Sequence, residues 1–297
     1  MPEPTIRRLL EEATHPLLSF EFFPPKDDSG LERLHKTAAA LLDAGPDFVT
    51  VTYGAGGSTQ QTSIDVCRMM KEAGFGTVMP HLTCVGASRS ELHEVIDRLY
   101  LEGYRNIMTL RGDPPRDETI FKLHPDGLPF ARDLVEHILH RYPDICCGVA
   151  GYPEVHPEAL SAEDDVLNVK RKLDAGGTFV TTQLFYDNAH FYAFVDRCRA
   201  AGISAPIIPG LLPPVSLQQV GRITRMCGSS LPDALARQLE AAGDDKAAAV
   251  QAGIQWVAHQ VEDLLRNGVP GIHLYILNRE KSGLAPEIVD PILGLRT

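Results

Sequence analysis

A chain of 297 residues can bury about three-quarters of the surface it would expose unfolded, so its core needs no disulfide or metal staple. Its 44% hydrophobic and 23% charged residues exclude a disordered or collagen-like chain. With 28 Lys plus Arg against 39 Asp plus Glu, the net charge of −11 argues against a general nucleic-acid binder, although a few local cations can still hold an anionic ligand.

The N-terminal stretch MPEPTIRRLLEEATHP has charges where a signal peptide would need an apolar segment. It reads as a short amphipathic lead-in helix over about residues 3–13. No apolar run approaches the ~20 residues that span a bilayer. Strand and helix patterns then alternate. Strand Leu17–Phe22 precedes helix Leu31–Ala44. Strands Phe48–Thr52 and Thr77–Thr83 follow, then helix Ser90–Glu102, strand Asn106–Leu110 and helix Pro129–Tyr142. Strand Ile145–Ala150, helix Asp164–Ala175, strand Phe179–Gln183, helix Asn188–Ala201, strand Ile207–Gly210 and helix Ser216–Met226 come next. Several helices end on Ala-Gly, where glycine supplies a left-handed cap. The last long helix has one apolar stripe, Ala247, Val250, Ile254, Val257, Val261 and Leu264, with Trp256 off it to pack on a neighbouring helix or subunit. Strand Gly271–Ile276 closes the series. Eight strands with no composition break predict an α/β fold, a (β/α)8 TIM barrel in a single domain over residues 1–297. An open doubly wound sheet is the runner-up. The long segments Gly112–Gly127 and Gly151–Glu163 both follow strands, and loops of that length are usually functional.

A barrel's active site lies where its strands end. Those ends carry Glu21, Thr52 and Tyr53, His81 and Thr83, Arg111 and Asp113, Tyr152 and His156, Gln183, and Asn278 with Arg279. Any one of them can be a loop cap, but together they converge on one mouth. Glu21 lies on the strand face opposite Phe20 and Phe22. Desolvation among aromatics would raise its pKa and ready it as a proton donor; pairing with an arginine such as Arg111 would lower it instead. The loop Gly54-Ala55-Gly56-Gly57-Ser58-Thr59 is neither GxGxxG nor Walker A. It is either a flexible turn or a place where backbone approaches a flat ligand. Arg111-Gly112-Asp113 is either a surface ion pair or a cation and an anion at the mouth. Asp165, Asn168 and Lys172 share one helix face, flanked by Arg171. That face is either solvated or, because the helix opens toward the mouth, a site where cations meet a pyrophosphate. The six cysteines, none in CxxC spacing, read as reduced small hydrophobes of a cytoplasmic protein. His137 and His140 lie mid-helix with no third ligand at useful spacing, so no metal is expected.

Eight motifs in order carry a resemblance: Phe20-Glu21-Phe22-Phe23-Pro24-Pro25, Thr50-Val51-Thr52-Tyr53-Gly54-Ala55, Pro80-His81-Leu82-Thr83-Cys84, Leu110-Arg111-Gly112-Asp113, Tyr152-Pro153-Glu154-Val155-His156-Pro157, Thr182-Gln183-Leu184-Phe185-Tyr186-Asp187, Ile208-Pro209-Gly210 and Leu277-Asn278-Arg279. From about residue 17 to 281 the chain resembles methylenetetrahydrofolate reductase. The resemblance implies a barrel with non-covalent FAD that reduces 5,10-methylenetetrahydrofolate to 5-methyltetrahydrofolate, with NADH or NADPH as donor. It implies the bacterial-type arrangement, without the C-terminal S-adenosylmethionine-responsive domain of the eukaryotic enzymes. On this resemblance Glu21 is the general acid and Asp113 the anion beside the reacting folate. Flavin contacts fall at Tyr53, Ala55, His81, Arg111, Gly112, Asp113, Tyr152, His156, Asp165, Asn168, Arg171 and Lys172. Nicotinamide contacts fall at Thr52 and Gln183, and folate contacts at Asp113, Gln183, Gln219 and Arg279. The family also implies a cytoplasmic homo-oligomer in one-carbon metabolism. The alternatives are another FAD barrel, such as proline dehydrogenase, and a flavin-free folate-binding methyltransferase barrel.

Overall fold

Successive strand residues face opposite sides, and in this chain that alternation separates apolar from polar layers. The computed structural model describes residues 3–25, 27–53, 57–112, 123–276 and 286–296. Its strands are β1 (Leu17–Phe22), β2 (Phe48–Val51), β3 (Val78–Thr83), β4 (Asn106–Leu110), β5 (Cys146–Gly151), β6 (Phe179–Thr182), β7 (Ile207–Ile208), β8 (Gly210–Leu211) and β9 (Gly271–Tyr275). They run in parallel in the order β7-β6-β5-β4-β3-β2-β1-β9-β8. The predicted strand Ile207–Gly210 is thus two pieces, β7 and β8, interrupted at Pro209. β7 pairs with β6 and β8 pairs with β9, which closes the sheet into a (β/α)8 barrel rather than leaving it open. Proline has no N–H for the ladder. Its carbonyl still accepts from the His273 N–H at 3.0 Å.

Helices α1 (Ile6–Glu12), α2 (Asp28–Asp43), α3 (Gly57–Ala73), α4 (Arg89–Leu101), α5 (Ala131–Arg141), α6 (Ala162–Asp174), α7 (Asn188–Ala200), α8 (Leu217–Cys227), α9 (Asp233–Ala241) and α10 (Lys246–Arg266) occupy the connections, and α11 (Pro286–Leu293) follows β9. Serine starts several of them, with Ser88, Ser161 and Ser216 accepting from N–H groups of the first turn. Most element ends lie within a few residues of the pattern-based expectation. α9 and α11 are not among the predicted helices; both are short, and they bury Leu235 and Leu239, and Ile288, Val289 and Ile292. Trp256 turns inward on its own chain: its Nε1–H donates to the Tyr186 carbonyl at 2.9 Å, beside the satellite core formed by α8, α9 and α10. Among the described residues no helix is long and apolar enough to cross a membrane.

Outward-facing Leu18, Phe20, Phe22, Val49, Val51, Val149, Val180 and Leu274 join the helices in the main core. Inward, the N-terminal end of the barrel is filled by Leu17, Phe48, Met79, Met108, Cys146, Phe179 and Ile208, with Ile6 of α1 as the plug. Glu3 fastens that plug by accepting from the Arg105 N–H at 2.8 Å and the Val78 N–H at 3.1 Å. One inward position further along β1, β2, β3, β6 and β9 the side chains are polar: Ser19, Thr50, His81, Thr181 and His273, all buried.

The closure leaves no room at Gly210, where a Cβ would lie 2.3 Å from the Thr182 carbonyl oxygen and 2.6 Å from the Tyr275 ring. Gly210→Ala is expected to lower stability by about 1–3 kcal/mol, the usual range for overpacking. The urea midpoint reads this, and an unchanged midpoint would mean that the barrel seam has slack.

Candidate active site

Glu21 is the last inward-facing residue of β1 and is only 6% exposed. Register explains its neighbours. Across β1 and β9, Ser19 stands opposite His273 and Glu21 opposite Tyr275; across β1 and β2, Glu21 stands opposite Thr50. Glu21 Oε2 lies 3.4 Å from the Nε2 atoms of both His81 and His273. It accepts from the Thr50 hydroxyl at 3.4 Å. His273 Nδ1 lies 2.8 Å from Ser19 Oγ, which also lies 3.4 Å from the Ile272 carbonyl oxygen. A Ser19 hydroxyl turned to that carbonyl accepts from Nδ1–H, leaving Nε2 to share a proton with Glu21. His81 approaches Glu21 at ion-pair distance without a well-aligned hydrogen bond.

Burial pushes the Glu21 carboxyl up, but the His273 hydrogen bond and the charges of His81 and His273 outweigh it and hold the group below its ordinary range. Burial pushes His81 down, partly countered by the Glu21 charge. Burial, the largest single effect at Glu21, is thus outweighed by its partners together, and none of those partners is an arginine. Arg111 is instead forked onto Glu158, at 2.7 and 2.8 Å. A carboxylate with two imidazole nitrogens each 3.4 Å away is placed to exchange a proton with them. Tyr275 completes this end of the barrel. Its hydroxyl donates to the Thr182 carbonyl at 2.6 Å, and its ring meets His273 edge to face at 5.0 Å. Ser19, His273 and Tyr275 are not among the site residues expected from sequence. The parity that turns Glu21 inward also turns Ser19 inward, and the same counting along Gly271–Ile276 points to His273 and Tyr275.

A second group forms where β5 meets α6. Asp165 is buried and accepts from the His156 N–H at 3.2 Å, and the Tyr152 and His156 rings meet edge to face at 4.5 Å. Lys172 donates to the Ala150 carbonyl. Burial pushes Asp165 up and Lys172 down to about 8. Asn168 and Arg171 lie apart from this group: Arg171 donates to Asn168 at 2.7 Å, and its side chain is 47% exposed. A seven-residue helical step returns to nearly the same angle, whereas a three-residue step falls about 60° away. The expected shared face therefore keeps Asp165 and Lys172 but turns Asn168 to solvent.

The remaining expected residues are placed as follows. The Thr52 carbonyl accepts from the Ser63 hydroxyl at 2.9 Å, and Tyr53 packs on the main core. Arg111 and Gly112 follow the end of β4 directly. Gln183 Oε1 accepts from the Leu184 N–H at 2.8 Å, and Gln219 Oε1 from the Val215 N–H at 3.0 Å, so backbone orients both amides. Ala55, Asp113, Asn278 and Arg279 lie outside the described residues.

The family model described as methylenetetrahydrofolate reductase matches residues 5–292. The chain belongs to that family. It is 36% identical over 270 residues to the 5,10-methylenetetrahydrofolate reductase of Escherichia coli K12, covering 90% of this chain and 88% of that one. It is 35% identical over 291 residues to methylenetetrahydrofolate reductase (NADH) 1 of Zea mays, covering 94% of this chain and 49% of the maize protein. The chain thus spans about half the length of such plant relatives. Among solved structures, an uncharacterized protein from Clostridium thermocellum that binds two copies of 5-methyl-5,6,7,8-tetrahydrofolic acid has the same fold. Its TM-score is 0.65 at 16% identity, covering 98% of this chain and 99% of that one.

Glu21 and His81 both hold pKa values below their ordinary 4.5 and 6.5. The unfolded chain therefore binds more protons as pH falls. The stability that His81 contributes is present above about 6.5 and is lost as pH falls toward its folded value; the Glu21 contribution is lost at lower pH still. Glu21→Gln removes the charge that counters the burial of a protonated His81. Between pH 7.5 and about 5.5 the urea midpoint of the variant is expected to fall further than that of wild type. Equal falls would show that the carboxylate does not act on the histidine.

Proposed function

We propose that the chain is a flavin-dependent 5,10-methylenetetrahydrofolate reductase that takes electrons from a nicotinamide, with NADH favoured. The observation that carries this reading is the buried Glu21–His273–His81 group at the strand ends, in a chain of this family. The name of the maize relative supports NADH, and the 5-methyl-5,6,7,8-tetrahydrofolic acid bound by the Clostridium thermocellum protein supports a folate ligand.

The residues present fit FAD. Lys172 and Arg111 supply positive charge for a diphosphate, buried Asp165 supplies an acceptor for sugar hydroxyls, and Tyr152 with His156 forms an aromatic wall. Such a flavin, when bound, supplies the hydride. Glu21 passes to the folate at N10 the proton that opens its five-membered ring; because its carboxyl lies below the ordinary range, that proton has to reach it through the adjoining His81 and His273 rings. The cation that develops at N5 calls for a nearby anion, the role assigned to Asp113. Gln183 orients the pterin and, with Thr52, the nicotinamide, so the two substrates take turns at one mouth. Gln219 and Arg279 hold the rest of the folate. A cytoplasmic homo-oligomer completes the reading; the free thiols, five of the six buried, support a reducing compartment.

Nicotinamide oxidation needs orientation but no protein acid, whereas ring opening needs a proton. Glu21→Gln is expected to bleach with NADH near the wild-type rate. Its reoxidation by methylenetetrahydrofolate is expected to fall at least ~100-fold, within the usual span of general acid catalysis. Stopped-flow absorbance reads both steps on one sample. Equal slowing of both would assign Glu21 to positioning. A colourless protein that takes up no FAD would end the flavin reading.

A further inference from the structure

Val155 has φ 72, in the left-handed region that a β-branched side chain avoids. It is the only non-glycine with positive φ among the described residues. It lies in the loop leaving β5, between Glu154 and His156. Its N–H donates to the Tyr152 carbonyl at 3.3 Å, and this turn sets the Tyr152 and His156 rings edge to face. A strained residue persists only where its surroundings over-determine it.

Those surroundings centre on Glu154, whose side chain is 11% exposed. Its Oε2 accepts from the Ser230 N–H at 2.9 Å and lies 3.5 Å from His190 Nε2 on α7. The same His190 nitrogen lies 3.4 Å from Ser230 Oγ. The Pro153 carbonyl accepts from Arg197 of α7 at 3.2 Å. Gly228, at φ 71, lets the chain after α8 lie against the loop, because a Cβ there would stand 2.9 Å from Pro157. None of these contacts is made by the Tyr152 or His156 ring.

We propose that Glu154 is a positioning residue for the flavin: its carboxylate docks the β5 loop on α7 and on the segment after α8, and so holds Val155 in the turn that pairs Tyr152 with His156. The proposal rests on the flavin reading above, and it assigns Glu154 no contact with substrate or cofactor.

Two variants test it, Glu154→Ala and the double variant Glu154→Ala with Val155→Gly. FAD affinity is read by fluorescence quenching on reconstitution, and amide hydrogen exchange over residues 152–159 is read on flavin-free protein. Glu154→Ala is expected to weaken FAD about tenfold, which is about 1.4 kcal/mol, and to speed exchange in this loop. Glycine adopts positive φ without strain, so the double variant is expected to recover most of the lost affinity. A merely structural loss at Glu154 would not be rescued in this way. Wild-type affinity in Glu154→Ala, or no recovery in the double variant, overturns the proposal. Should no form bind FAD, the flavin reading fails, while exchange still reads the latch: faster exchange in Glu154→Ala supports it and unchanged exchange overturns it. Should Glu154→Ala fail to fold, His190→Ala removes one side of the dock and is expected to shift both readouts in the same direction by a smaller factor; no shift overturns the proposal.

Discussion

A carboxylate cannot leave water without partners that replace its hydration, and Glu21 obtains its His273 partner only because the barrel closes. Thr50 comes from β2, His81 from β3 and His273 from β9. β1 and β9 are far apart in sequence, and the sheet that joins them is completed where the split strand at Pro209 pairs on both sides. The seam is tight, with the Gly210 backbone packed against the Tyr275 ring and the Thr182 carbonyl. Barrel closure and the electrostatics of Glu21 are therefore one constraint.

The cost of that polar layer is met below and around it. Apolar inward residues and the Ile6 plug fill the base, and the outward residues of every strand join a continuous core with the helices. Removing apolar surface from water is worth roughly 25 cal/mol per Å², and nearly all of it lies outside the mouth. The division follows from strand direction. In parallel strands all C-terminal ends lie together, so residues that become polar late in each strand gather at one rim.

The two groups at that rim differ in electrical character. Around Glu21 a carboxylate and two imidazoles are buried in contact, each ring nitrogen 3.4 Å from Glu21 Oε2. Around Arg111, Glu158, His156, Asp165 and Lys172, cations and anions alternate across a loop and a helix end, in a chain whose overall balance is strongly acidic. An anionic ligand meets attraction there from local geometry, not from net charge. The strained turn at Val155 lies inside this second group, and the contacts that hold it come from α7 and the segment after α8.

By itself the sequence determined the order of strands and helices, the apolar stripe of α10 and the strand-end position of Glu21, because these follow from residue periodicity and capping over short spans. It also determined the family, because eight motifs recur in order. It left the protonation behaviour of Glu21 open between desolvation and an arginine partner. Tertiary structure decided that question: His273 is 252 residues away in sequence and meets Glu21 only through the β1–β9 pairing. It likewise sent Arg111 to Glu158, split the seventh strand at Pro209 and divided the α6 face between a buried Asp165–Lys172 stripe and an exposed Asn168–Arg171 edge. Local pattern reports which way a side chain points, but which partner it meets depends on how the whole sheet curls and closes.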